Sequence, residues 1–244
     1  MLILAIDTSA RAGSVAVLRD RHLLASVSSL ELTPYDNRLF RDIDDLQNRA
    51  NFAIQDVDVF AVVVGPGSFT GLRIGLTAVK AWAEIYQRPI AAISGLEAIA
   101  SQAHAKRSQT REPYTVIAPF QDARRGQIFG AIYRRNGPET AKLELVGEEN
   151  TLSAVEFLAL VTRNAGQSAP ILISPTPGLL SDVQVQSAGS FGEPWVVEAA
   201  SPVLAPIIGQ LGFDRAERGE LVDSLLLDAS YVRRTDAESS WKDS

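Results

Sequence analysis

The feature that most constrains this chain is a nearly unbroken apolar run, residues 57–64 (VDVFAVVV), stopped by Gly65-Pro66-Gly67-Ser68. Apolar runs rich in β-branched residues, with no polar alternation, are expected when both faces of a sheet are covered. Such a strand needs helices on its sheet, and the next segment supplies one over about 71–86. Leu72, Leu76, Val79 and Ala83 form one apolar stripe of it, and Ile74, Ala78, Ala81, Trp82 and Ile85 form another. Only Arg73, Thr77, Lys80 and Glu84 are polar, on a single narrow line. A helix apolar nearly all round is buried on more than one side. The sheet covers one stripe; either a neighbouring helix or a protein partner covers the other.

The surrounding order predicts an α/β protein. Residues 2–6, 13–18 and 22–29 read as three successive strands with a polar turn at Arg19-Asp20-Arg21. Thr33-Pro34-Tyr35-Asp36 signals a helix start with Asp36 as N-cap. Leu39, Ile43, Leu46 and Ala50 then share one face of a helix over about 36–52. Arg88-Pro89 closes the 71–86 helix; a strand at 90–93 and a helix over about 95–106 follow. The polar segment 106–113 (KRSQTREP) marks a boundary, predicting domains at 1–106 and 107–244, the end of the second free to pack back on the first. Past it come strands at 114–119, 127–133 and near 141–146, with a turn over 121–126. A helix at 151–163, a strand at 170–174, a long loop over 175–195 and a helix near 201–218 complete the order.

Composition narrows the chemistry. The chain has no cysteine, which excludes thiolate metal sites and a thiol nucleophile. Its two histidines, His22 and His104, belong to no HxxxH or HExxH pair, so neither a His-based metal site nor a Ser-His-Asp relay has material. Net charge is −6, from 23 basic and 29 acidic residues. An acidic chain repels a phosphate backbone, so any nucleic acid it serves is held mainly by a partner. No stretch approaches the roughly 18 apolar residues of a membrane span. Asp7 interrupts the opening apolar run, which argues for a strand rather than a signal peptide. The expected location is the cytoplasm. Asp42, Asp44 and Asp45 read as a solvated helix face rather than a metal site.

Two loops could carry an anion. Gly65-Pro-Gly-Ser-Phe-Thr-Gly71 sits where helix N–H groups could receive one. Leu72-Arg73 replace the Lys and Ser or Thr of a P-loop, and no acid ends the next strand as a dinucleotide site requires. The competing reading is a tight strand-to-helix turn in which glycine permits close packing. Asp7-Thr8-Ser9, leaving the first strand before Gly13-Ser14, is either a phosphate loop or a capped turn whose Asp and Thr satisfy turn amides.

AIDTSARAGSVAV (5–17), VVVGPGSFTGLRIGL (62–76), ISGLEAIA (93–100) and QDARRGQIFGAIY (121–133), in that order, resemble the TsaB family, as does the ending DASYVRRTDAE (228–238). The resemblance implies a two-lobed actin-like ATPase (ribonuclease H-like) fold with mixed sheets flanked by helices. It implies a non-catalytic dimerization subunit of the machinery making N6-threonylcarbamoyladenosine beside the anticodon of tRNAs reading ANN codons. Its partner would be the catalytic paralogue TsaD or a second copy, with the ATPase TsaE docking on the TsaB–TsaD pair and tRNA reached only through the complex. TsaD-like proteins bind their metal with an HxxxH pair; the corresponding helix here holds His104 alone. The family builds its interface from its first two helices. That carries over to Leu39, Ile43 and Leu46 of the first, and to Leu72, Arg73, Leu76, Val79 and Lys80 of the second. Asp7, Thr8, Ser9, Gly65 and Gly67 would form a vestigial phosphate loop. No metal and no tightly bound cofactor is expected of the chain alone, with ATP or ADP entering only in the complex. Tyr35-Asp36 stands where the family commonly has His-Ser, and Gln127 where glutamate is usual. The rival is an active ATP-dependent small-molecule kinase of the same superfamily, for which the second lobe offers only Arg125-Gly126 in its turn. A peptidase reading lacks metal ligands and a nucleophile relay.

Overall fold

The computed structural model describes residues 1–28, 35–103, 114–136, 142–166, 169–181, 195–230 and 232. Thr33 and Pro34, His104, the segment 106–113, most of the 175–195 loop and most of 228–238 lie outside them. The chain divides into two compact units, Met1–Ala98 with Pro202–Ser230, and Ile99–Ser201 with Tyr231–Ser244. The division after Ala98 falls earlier than the sequence boundary after residue 106, and 202–230 groups with the first unit.

In the first unit β1 (Leu2–Asp7), β2 (Ser14–Arg19) and β3 (His22–Ser28) form an antiparallel meander. β4 (Val59–Gly65) and β5 (Ile90–Ser94) add in parallel, giving the order β3-β2-β1-β4-β5. α1 (Tyr35–Ala50) and α2 (Phe69–Tyr86) connect the strands, and α3 (Gly95–Ala100) follows β5. α3 is shorter than the helix predicted over 95–106, giving way to a turn at Ser101-Gln102.

Alternation along β4 shows why the run is apolar throughout. Phe60 stacks on Trp82 of α2, while Ala61, its neighbour on the opposite face, meets Gly212 of the helix over Ala205–Glu217. A Cβ on Gly212 would lie 2.8 Å from that of Ala61, so glycine sets how closely this helix approaches the sheet. Both faces are therefore covered by elements far apart in sequence.

In the second unit β6 (Tyr114–Arg124) is the trunk of a seven-stranded sheet. Its end pairs antiparallel with β7 (Gln127–Gly130), its start with β8 (Tyr133–Asn136), and β8 pairs with β9 (Leu143–Leu145). β10 (Asn150–Ser153) joins β7; beyond the helix α4 (Ala154–Ala165), β11 (Ile171–Ser174) runs parallel to β6, and β12 (Val196–Ala199) joins β11. The Ala205–Glu217 helix is α5 in chain order. Three sequence expectations are corrected here. The turn predicted over 121–126 is strand as far as Arg124, the strand predicted over 127–133 is two strands, and β10 and β12 add to the strands the sequence predicts. α4 opens on a capping box: Ser153 Oγ accepts from Glu156 N–H, and Glu156 Oε2 accepts from Ser153 N–H at 2.8 Å. The core gathers Val116, Phe120, Ile128, Phe157, Val161 and Leu172.

Candidate functional site

Asp7, Thr8 and Ser9 leave β1 directly against the start of α2. Ser68 N–H donates to the Ser9 carbonyl at 2.7 Å, and Ser68, the N-cap of α2, accepts from Gly71 N–H at 3.3 Å. Gly65, at φ 142°, lets the chain pass the Ser230 carbonyl, which a Cβ there would strike. A Cβ on Gly67 would lie 2.5 Å from the Ser9 carbonyl oxygen, and one on Gly71 or Gly75 would run into the Thr8 carbonyl or hydroxyl. The space beside Gly67 and Gly71 is thus filled by the chain's own 8–9 backbone, that beside Gly75 by the Thr8 side chain and that beside Gly65 by Ser230, and the Ser68 N–H is spent inside the loop. Asp7 is buried; its Oδ1 accepts from Ser9 N–H at 2.8 Å and Ser9 Oγ at 2.6 Å. Asp7 Oδ2 and Thr8 Oγ1 are buried without a hydrogen-bond partner among the described residues. Burial pushes the Asp7 carboxyl up, against the pull of the Ser9 hydrogen bonds. Among the described residues no group of three or more His, Cys, Asp or Glu side chains could hold a metal ion.

This packing sets a testable sign. Glycine to alanine inside a helix ordinarily stabilises by about 1 kcal/mol. At Gly71 the new methyl meets backbone, which cannot swing away, and overpacking of this kind costs about 1–3 kcal/mol. Gly71→Ala is therefore expected to lower the urea midpoint; an unchanged or raised midpoint would show that the Thr8 loop yields freely.

The second candidate is the surface of α1 and α2. Leu39, Ile43 and Leu46 on α1, and Leu72, Leu76 and Val79 on α2, are all buried in the first unit's own core. Their assignment to a partner surface is corrected: they face the sheet, because that stripe of each helix is the one the strands cover. Arg73 is exposed and Lys80 half-buried. Of the second stripe of α2, Ala78 and Trp82 turn inward, whereas Ile74 is half-exposed, Ala81 exposed and Ile85 68% exposed. Trp82 lies between Phe60 and Phe40, whose ring meets it edge-on at 6.0 Å and is 53% exposed. Phe40 stands off the i, i+4 stripe of α1, so periodicity passes over it.

The charges of α1 also separate. Arg38 is buried and its Nε lies 3.4 Å from Asp42 Oδ2, one turn on. Asp42 is buried with it, which corrects its reading as part of a solvated face, and burial raises its carboxyl against the opposing pull of Arg38 and Arg41. Asp44 is exposed and Asp45 pairs with Arg49 at 2.6 Å.

Set beside known proteins, the chain is 30% identical over 246 residues to the tRNA threonylcarbamoyladenosine biosynthesis protein TsaB of Bacillus subtilis (strain 168), covering 100% of this chain and 99% of that one. It belongs to the TsaB family. Residues 34–159 also match the family model described as TsaD: tRNA N6-adenosine threonylcarbamoyltransferase. A solved structure of YeaZ from Pseudomonas aeruginosa superposes with a TM-score of 0.72 at 26% identity, covering 94% of this chain and 99% of that one. An ROK hexokinase from Thermus thermophilus superposes at 0.50 with 9% identity, covering 90% and 100%, a likeness of fold alone. The chain therefore has the two-lobed actin-like α/β fold of the TsaB family, with mixed sheets flanked by helices. In this TsaB-family member the β1 loop and the start of α2 close on each other, while α1 and α2 keep a mixed apolar face outward.

Proposed function

We propose that this chain is a non-catalytic dimerization subunit in the biosynthesis of tRNA threonylcarbamoyladenosine, acting in the cytoplasm by binding a TsaD-type threonylcarbamoyltransferase. The observation that carries the reading is the split of α2. One stripe is spent on the sheet, and the other leaves Ile74, Ala81 and Ile85 outward, while the exposed Phe40 of α1 packs on Trp82. Family membership over the whole chain and the match to the transferase family model support the process and the class of partner. A non-catalytic role is supported by the self-filled loop at Thr8 and Ser9. TsaE joining the pair, tRNA held only through the complex, and ATP or ADP entering only there are parts of the same proposal. Homodimerization through this face is its competing state. Among the described residues no helix is long and apolar enough to cross a membrane. The kinase reading is not favoured, since the hexokinase likeness is confined to the fold.

Ile74→Glu and Phe40→Glu are expected to leave the circular dichroism spectrum intact. Each should weaken binding to the transferase subunit of the same genome by tenfold or more, because a charge at a desolvated contact loses its water without gaining a partner. Calorimetric affinities unchanged in both variants would remove α1 and α2 from the interface.

A further inference from the structure

Asp7 is 1% exposed, and its two carboxyl oxygens differ in their surroundings. Oδ1 accepts from Ser9 N–H and Ser9 Oγ, whereas Oδ2 is buried without a hydrogen-bond partner among the described residues. Ser14, opposite Asp7 in the β1–β2 ladder, accepts from Ala205 N–H at 3.0 Å where α5 begins. No described N–H of α2 or α5 reaches Oδ2. Charged side chains also stay clear of it. Arg11 in the turn to β2 is exposed, Arg73 of α2 is exposed over the Phe69 ring, and Asp228 just before Ser230 is exposed. β4 carries no charge, and those of β2 and α5 sit at the far ends of their elements, at Arg19 and from Asp214 on. Burial and the Ser9 hydrogen bonds are the influences that act on this carboxyl.

An ionised Asp7 would leave a bare charge inside the protein. The neutral acid leaves one unmade hydrogen bond, which costs less. We propose that Asp7 is a proton-linked switch: as the neutral acid it keeps the Asp7–Ser9 loop closed on the start of α2, and losing the proton opens the loop so that water reaches the carboxylate. The element it controls is the Ser9 carbonyl, which accepts from Ser68 N–H at 2.7 Å and ties the loop to the N-cap of α2.

The closed fold binds this proton more tightly than the unfolded chain does. The stability it contributes is therefore complete below the unfolded carboxyl's pKa and is lost as pH rises through the raised folded value. Asp7→Asn mimics the neutral acid and removes the titration. Across that range the folding constant of the unchanged protein, divided by that of the variant, is expected to fall by up to tenfold per pH unit in urea unfolding followed by circular dichroism. Asp42, whose carboxyl burial also raises, is present in both proteins and cancels in the ratio. Hydrogen exchange at Ser9 and Ser68 N–H, corrected for intrinsic rates, should quicken over the same range in the unchanged protein and not in the variant. A ratio independent of pH overturns the switch. If the variant does not fold, an NMR titration of the Asp7 carboxyl carbon in the unchanged protein decides: a midpoint above that of exposed aspartates supports the switch, and one among them shows that water already satisfies Oδ2 and overturns it. Magnesium that stabilises the unchanged protein but not the variant would make Oδ2 a cation ligand and overturn it too.

Discussion

Leu76→Glu is expected to leave the first unit without a cooperative unfolding transition. Leu76 is 6% exposed on the sheet-facing stripe of α2. Its burial contributes about 1.5–3 kcal/mol, and a carboxylate in its place is an unpaired buried charge costing several kcal/mol more. Against a total stability of about 5–15 kcal/mol for a domain, the sum is decisive. Circular dichroism in increasing urea should show a sloping loss of signal, whereas Ile74→Glu, two residues away on the half-exposed stripe, should keep a sharp transition. Reversed effects would mean that the two stripes of α2 have been assigned to the wrong sides, and equal effects that neither stripe alone faces the sheet.

The second large effect belongs to the other unit. The Phe157 ring is buried, 5.4 Å from the Phe120 ring, and occupies the space that a side chain at Gly130 would need. It packs α4 against Phe120 of β6 and Gly130 of β7. Phe157→Ala removes that ring where backbone on one side and an aromatic on the other limit collapse, so a cost of about 3–5 kcal/mol is expected. Hydrogen exchange locates the damage: amides of β6, β7 and β11 should lose protection while those of β1 and β4 keep theirs. Uniform loss across both sheets would show that the two units unfold as one.

Much of the first unit was legible because local pattern and burial agree there. The meander of β1 to β3, the buried β4 and the helix after it follow from residue types within a dozen positions of one another. The spacing of Leu39, Ile43 and Leu46 also marks a coherent face, but not its direction. A stripe announces that something covers it without saying what, and here the covering is the chain's own sheet. Asp42 escapes sequence reading for a related reason: beside two exposed or paired aspartates it looks solvated, yet it is buried with Arg38 one turn away. In the second unit the Ser153-x-x-Glu156 signal was present and could have set the start of α4. β10 and β12, four residues each, have no pattern long enough to stand apart from loop.

What the sequence by itself determined is the alternation of elements, the family, and the scarcity of metal ligands, since each depends on residue identity and near spacing. What only the tertiary structure decided is which side of each element faces protein. α5, more than 100 residues beyond β5 in the chain, supplies the second cover of β4 through Gly212. The loop of Gly65 and Gly67 is filled by Ser230 and Ser9, and Leu225 and Leu226 are held outward by a turn anchored on β5 and α2. Burial is a property of pairs of surfaces, and when the partner lies far along the chain no local pattern encodes it.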